Sequence, residues 1–203
     1  MATNNFSRLA DNLKNKCYRV SVFAAAADAV AYLDRAIDGA TVGFGGSMTL
    51  HQLNLFPVLQ RHNTVYWHDE KPEGMSVMET RRAAVYVSSV NGIAETGEIV
   101  NIDRTGNRVA AISFGPEKVY LVVGRNKLAP TLSDAVARAR NVASPRNCQR
   151  LARRTPCAVK GDRCFDCQSP DRICRVMTLL LEKPSGAEIY TDTIMLKDAN
   201  ILR

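Results

Sequence analysis

Apolar residues recur at three- and four-residue spacing through residues 5–16, which predicts a leading amphipathic helix. Over residues 19–23 apolar and polar positions alternate, the two-residue period of a strand. Residues 24–37 are Ala-rich, return to helical spacing, and stop before Gly39, a residue suited to a helix C-terminus. A short strand from Thr41 then runs into the turn Gly43-Phe44-Gly45-Gly46-Ser47. Residues 49–61 read as a second long helix with Pro57 as a candidate kink, 65–68 as a strand, and 76–82 as a short helix. Residues 85–90 form a β-branched strand, and 98–102, 109–114 and 119–123 are three further strand candidates. Thr131 and Ser133-Asp134 make a capping start for a helix over 131–142. Residues 177–181 and 189–196 read as closing strands joined by a Pro184-Ser185-Gly186 turn.

Strands alternating with helices predict an α/β fold, an open, mixed, largely parallel sheet flanked by helices. The β-dense middle of the chain predicts that some pairing is antiparallel. The 203 residues suffice for one domain over 1–203, with a cysteine-rich insertion at about 145–176. A hydrophobic fraction of 46% with 23% charged residues argues against wholesale disorder. No apolar run reaches the ~18–20 residues of a membrane span, and the first residues lack a secretory pattern, so a cytoplasmic protein is expected.

Charge changes this picture in one place. Residues 138–175 hold ten Lys or Arg against three Asp, an excess of seven that equals the whole chain's net charge of +7. Such a block suits an anionic ligand, nucleic acid or a buried negative centre; a solvated Arg-rich face is the plainer explanation. Only Phe165 interrupts the segment as an aromatic within its cysteine-rich part, so a stacking platform for single strands is poorly supported and nucleic acid is disfavoured.

The same segment holds five of the six cysteines, Cys148, Cys157, Cys164, Cys167 and Cys174, spaced C-x8-C-x6-C-x2-C-x6-C. Clustered thiols in an intracellular chain read as metal binding or redox chemistry before disulfides. Cys164-Phe165-Asp166-Cys167 is the tight chelating pair. The expected ligands are Cys157, Cys164, Cys167 and Cys174, with Cys148 as substitute or fifth thiol. All-sulfur ligation favours an iron–sulfur cluster of the 4Fe-4S type, with structural zinc as the alternative. Four thiolates around either leave a formal charge of about −2, which Arg163, Arg172 and Arg175 could offset while donating hydrogen bonds to sulfur. Cys17 reads as an ordinary core thiol.

Two loops offer a small-molecule site. Glycines at 43, 45 and 46 let backbone N–H groups approach an anion, with Ser47 as helix cap or ligand; a tight structural turn explains them equally well. The pattern is neither a Walker loop nor a dinucleotide fingerprint. Asn91-Gly92-Ile93-Ala94-Glu95-Thr96-Gly97 follows the strand at 85–90, and both loops could face one cleft at the strand ends. Glu95 is then a candidate general base or nucleophile and Thr96 a ligand contact; the plainer reading is an Asn-Gly turn with a surface Glu.

The loop Gly45-Gly46-Ser47-Met48-Thr49, the run Ala94-Glu95-Thr96-Gly97, and residues 118–123 and 128–132 together resemble the lactate-utilisation (LUD, formerly DUF162) domain family. The resemblance covers most of residues 5–196 and, with its Thr-Pro-Cys and Cys-x-x-Cys segment, is similar to a free-standing branch of that family. It implies a fold like the ribose-phosphate isomerase and CoA-transferase superfamily, with Gly45, Gly46, Ser47, Thr49, Thr96 and Gly97 as ligand contacts beside Glu95. It also implies a role in L-lactate or related hydroxy-acid metabolism, as a redox or accessory subunit with redox partner proteins. An isomerase or acyl-transfer enzyme acting on a small anionic substrate, with structural zinc, is the alternative. The sequence leaves the substrate, the metal and the oligomeric state open.

Overall fold

The structure is a computed structural model that describes residues 5–67, 69, 77–185 and 190–196. Helix α1 (Asn5–Asn15) leads into strand β1 (Arg19–Phe23), helix α2 (Ala26–Ala36) and strand β2 (Thr41–Phe44). Short helices α3 (Met48–Gln52) and α4 (Leu55–Leu59) precede β3 (Thr64–Trp67), and α5 (Val77–Arg82) precedes β4 (Val85–Ser88). Then come β5 (Gly92–Ala94), β6 (Ile99–Asp103), α6 (Asn107–Ser113), β7 (Lys118–Gly124) and β8 (Leu128–Ala129). Helix α7 (Leu132–Arg138) passes through a π turn, Ala139–Ala143, into α8 (Ser144–Arg150). Helix α9 (Pro156–Lys160), β9 (Val176–Leu180) and β10 (Tyr190–Leu196) complete the described chain. Of the expected elements, His68, Ser76, Gly186 and Ile189 lie outside the described residues.

Six strands form a sheet in the order β1-β10-β7-β4-β2-β3, every pairing parallel. Antiparallel pairing is confined to a second sheet, β8-β5-β6-β9. The α/β architecture agrees with the expectation, but the mixed character comes from two sheets. Alternation along the inner strands explains the layering: Val85, Val87, Tyr120 and Val122 face one core with α2 and α4. Tyr86, Val119, Leu121 and Val123 face the other, with Phe6, Leu9 and Leu13 of α1. Among the described residues no helix is long and apolar enough to cross a membrane.

Four local expectations are corrected. The strand expected over 109–114 is helical as far as Ser113: Gly106 (φ +86°) turns the chain, and the Asp103 carboxylate accepts from the Arg108 and Val109 N–H groups at 2.8 and 3.3 Å. That cap, with Val109, Ala111 and Ile112 buried at helical spacing, outweighs their β propensity. The helix expected over 49–61 breaks at Asn54 (φ +49°), a residue tolerant of left-handed backbone, while Pro57 sits in the first turn of α4, where no N–H is needed. The two closing strands do not form a hairpin, since β9 joins the second sheet and β10 inserts between β1 and β7. Cys17 is exposed at a turn with φ +64°, not in the core.

Candidate functional site

Strand β2 continues through α3 and α4 to β3, on one side of it, whereas β4 continues towards β7, on the other. The connections leave in opposite directions, the topology that makes the C-terminal ends of β2 and β4 the crevice position at which open parallel sheets take ligands. Gly45 and Ser88 sit there, and the Gly45 N–H donates to Val87 O at 2.9 Å, linking the two strand ends. A Cβ at Gly45 would lie 2.6 Å from Ser88 Oγ, 3.0 Å from Tyr86 Oη and 3.1 Å from Arg108 Cδ. Only glycine therefore fits. The Tyr86 hydroxyl is buried and has no hydrogen-bond partner among the described residues. Burial raises the Tyr86 pKa well above the ordinary phenol value, so it is a neutral donor.

Ser47 precedes α3 without capping it by its side chain, and the Gly46 and Ser47 N–H groups take no backbone partner among the described residues. Thr49 Oγ1 accepts from Ser89 Oγ at 3.4 Å, both residues buried. One helical turn after Ser47, His51 stacks on Trp67 (4.0 Å between centroids) and its Nε2 lies 3.1 Å from Asp69 Oδ2. These strand ends thus gather hydroxyls and amides without a backbone partner among the described residues, able to hold an oxyanion, while His51, oriented by Asp69 one turn along, is a group that could move a proton.

Arg108 frames this crevice, although sequence reading assigned its neighbours to a strand and passed over it. Its guanidinium donates to Ser89 O (3.1 Å), Asn101 Oδ1 (2.9 Å), Asn91 Oδ1 (2.8 Å) and Ile102 O (2.6 Å). Burial lowers its pKa and Asp103 opposes that shift. The signal available in the sequence was Thr105-Gly106-Asn107, a turn before a lone Arg in an apolar run. Two more cations reach the same loop: Lys127 Nζ donates to Val90 O at 2.9 Å, and Arg138 Nη1 donates to Asn91 O. Burial, then Arg138 and Arg108, push Lys127 down to about 7; burial, then Arg146, push Arg138 down to about 10.

Glu95, Thr96 and Gly97 form the turn between β5 and β6, closed by Gly97 N–H to Ala94 O at 2.8 Å. Glu95 pairs with Arg8 at 3.2 Å, and its carbonyl accepts from Asn12 Nδ2 at 2.7 Å. Thr96 Oγ1 donates to Glu98, which pairs with Lys16 at 3.1 Å. This turn therefore lies on α1. It stands at the opposite end of β6 from Asp103, a separation of roughly 13 Å of strand. Among the described residues, none of the turn's side-chain partners belongs to the crevice.

The cysteines lie on α8 (Cys148), α9 (Cys157) and the loops beyond. Cys148 and Cys157 are buried against Ile173, while Cys164, Cys167 and Cys174 are half-buried. Burial, partly offset by a hydrogen bond with Thr155, pushes the Cys148 thiol up to about 11, with Cys157 and Cys174 adding to the rise. Cys164 Sγ accepts from Asp166 N–H at 3.3 Å and from Arg140 Nη2 at 3.7 Å. A hydrogen bond with Cys174 raises the Arg172 pKa. Among the described residues no three His, Cys, Asp or Glu side chains already form a metal-binding group. The soft sulfur donors and the N–H groups aimed at them are nonetheless the chemistry that thiolate ligation uses.

Most of the basic block braces this loop. Arg172 donates to the carbonyls of Cys174 and Cys167, both at 2.9 Å, and Arg175 to that of Pro170 at 2.8 Å. Arg140 and Arg172 both reach Asp166, at 2.9 and 3.3 Å, and Arg163 lies over the Phe165 ring. Of the three arginines expected to serve sulfur, Arg163 and Arg175 take other partners and Arg172 reaches the carbonyls of Cys167 and Cys174; the bond to sulfur comes from Arg140.

A crystal structure of a DUF162 family protein from Deinococcus radiodurans is similar over 96% of each chain, with TM-score 0.56 and 16% identity. At that identity the likeness speaks for the fold. No curated protein matches the chain. The sequence model described as the LUD domain matches residues 6–190, from α1 into the first residue of β10. This protein belongs to the LUD domain family.

Proposed function

We propose that this chain acts in L-lactate or related hydroxy-acid metabolism, as a redox or accessory protein carrying a thiolate-ligated metal centre, within a single domain whose cysteine-rich segment is an insertion. The observation that carries this reading is the pair of N–H donors aimed at the Cys164 sulfur, Asp166 N–H and Arg140, with Arg172 holding the Cys167 and Cys174 carbonyls beside it. Cys157, Cys164, Cys167 and Cys174 would hold the metal; Cys148, against Cys157, is a fifth thiol within the same cluster. A bound 4Fe-4S cluster would supply one-electron transfer, while zinc would be structural. Metal analysis and a visible spectrum of anaerobically purified protein test this. Iron with sulfide, lost in Cys164→Ser and Cys167→Ser, is the expected result; protein that takes up neither iron nor zinc on anaerobic reconstitution refutes it.

The crevice favours a second reading, an enzyme of the isomerase or acyl-transfer kind acting on a small anionic substrate. Gly46 and Ser47 N–H groups, Thr49, Ser89 and the orphan Tyr86 hydroxyl would receive the anion, with His51 moving protons; Glu95, the base expected from the sequence, lies at the far end of β6 paired with Arg8. Calorimetry with L-lactate, followed by Tyr86→Phe and Glu95→Gln, tests it: binding lost in Tyr86→Phe supports the crevice. Turnover unchanged in Glu95→Gln would remove Glu95 from the chemistry.

A further inference from the structure

Beside the crevice, between the C-terminal ends of β4 and β7, the loop Ser89–Asn91 meets Lys127 and Arg138. Each cation is tied to the backbone, Lys127 to Val90 O at 2.9 Å, and Arg138 to Asn126 O at 2.7 Å and to Asn91 O. Those bonds leave most of their donors uncommitted. Both side chains are half-buried, and the charged groups acting on them are all positive: Arg138 and Arg108 on Lys127, Arg146 on Arg138. No ion pair joins either to a carboxylate among the described residues. Partial burial without a partner disfavours the charged form of both side chains, and an anion seated against them would restore it. Arg108 differs, since its guanidinium is occupied by four chain acceptors and Asp103 offsets its charge.

The partner needed here carries more than one negative charge. A monocarboxylate would neutralise one cation; two adjacent ones, with Arg146 behind them, match a doubly charged group with several acceptor oxygens. We propose that Lys127 and Arg138, seated on the Ser89–Asn91 loop, form a binding site for a phosphate dianion, either the free ion or the phosphoryl group of a small metabolite. The site shares a wall with the crevice but none of the groups assigned above to hydroxy-acid binding except Ser89.

Calorimetric titration of the full chain with inorganic phosphate tests this. Saturable one-to-one binding is expected, weakened at least about tenfold in Lys127→Met and in Arg138→Gln but unchanged in the exposed Arg150→Gln. Absence of saturable binding, or affinities of the two variants within about twofold of the unsubstituted chain, overturns the proposal. Acetic anhydride labelling of the unsubstituted protein avoids any folding defect: phosphate should slow Lys127 acetylation relative to the exposed Lys118, and an unchanged ratio overturns the site. Phenyl phosphate binding more tightly than inorganic phosphate assigns a phosphomonoester; the reverse order assigns the free ion. L-lactate titrated in the same cell separates the two readings, since loss of lactate binding with phosphate binding intact counts against the crevice alone.

Discussion

Replacing Arg108 by methionine removes four hydrogen bonds at 2.6–3.1 Å while keeping most of the side chain's packing. The acceptors lie on two segments, Ser89 and Asn91 after β4, and Asn101 and Ile102 in β6, so one side chain ties the two sheets together. Each bond from a charged donor contributes about 1.5–3 kcal/mol when its partner is otherwise left unsatisfied. The four do not add in full, because water and relaxed neighbours recover part of the loss. Removing one member of a buried charged network costs about 3–5 kcal/mol, and Arg108→Met is expected in that range. At a urea dependence of about 2 kcal/mol/M, the unfolding midpoint should fall by about 2 M with an unchanged slope. Arg108→Lys keeps the charge but not the planar fork and should recover less than half of the loss. A loss below about 1 kcal/mol for the methionine variant, or full recovery by lysine, would refute the view of Arg108 as the clamp between the sheets.

Gly45→Ala places a methyl 2.6 Å from Ser88 Oγ and should cost about 1–3 kcal/mol in the same assay, with loss of any crevice ligand. Tyr86→Phe removes an unpartnered buried hydroxyl, so stability without ligand should stay level or rise by up to about 1 kcal/mol, while L-lactate binding by calorimetry disappears. Hydrogen bonds to Asp34 and Asp38 raise the His62 pKa above 6.5. That contribution is full below about pH 6.5 and is lost as pH rises through the folded-state value. Bonding to His62 lowers the Asp34 pKa below 3.8, so its share is full above about pH 3.8 and is lost on acidification through the folded-state value. Urea midpoints measured across pH should therefore converge for the unsubstituted chain and His62→Asn above neutrality and separate between about pH 4 and 6.

Much of the fold was legible because hydrophobic periodicity and glycine punctuation act locally. The helix at α1, the strands at β1, β2 and β7, and the Thr131 cap, where Thr131 Oγ1 accepts from Asp134 N–H at 3.1 Å, all follow from adjacent residues. The helix α6 did not, because its stabilising cap, Asp103, comes from the preceding strand and its β-branched residues pack as a helix only against β4 and β6. The expected helix from Thr131 also runs on. Pro145 has no N–H to bond back, a wider π turn absorbs it, and Cys148 is carried onto a helix. At the site, Gly45 to Thr49 was legible from glycines beside a strand end. Glu95 looked equally close to that loop in sequence, but a hairpin carries it to the far end of β6. Arg108, Lys127 and Arg138 converge only through sheet topology, which no local pattern contains.

The placement of β10 has a consequence for how the protein is made. Residues 190–196 pair with β1 on one side and β7 on the other, so β1 has no sheet partner until that segment emerges from the ribosome. Until then the nascent chain carries two open parallel edges, at Arg19–Phe23 and Lys118–Gly124, separated by a slot one strand wide. Any shortened product that ends before residue 190 keeps that slot, and its exposed edges make it a substrate for chaperones or for aggregation.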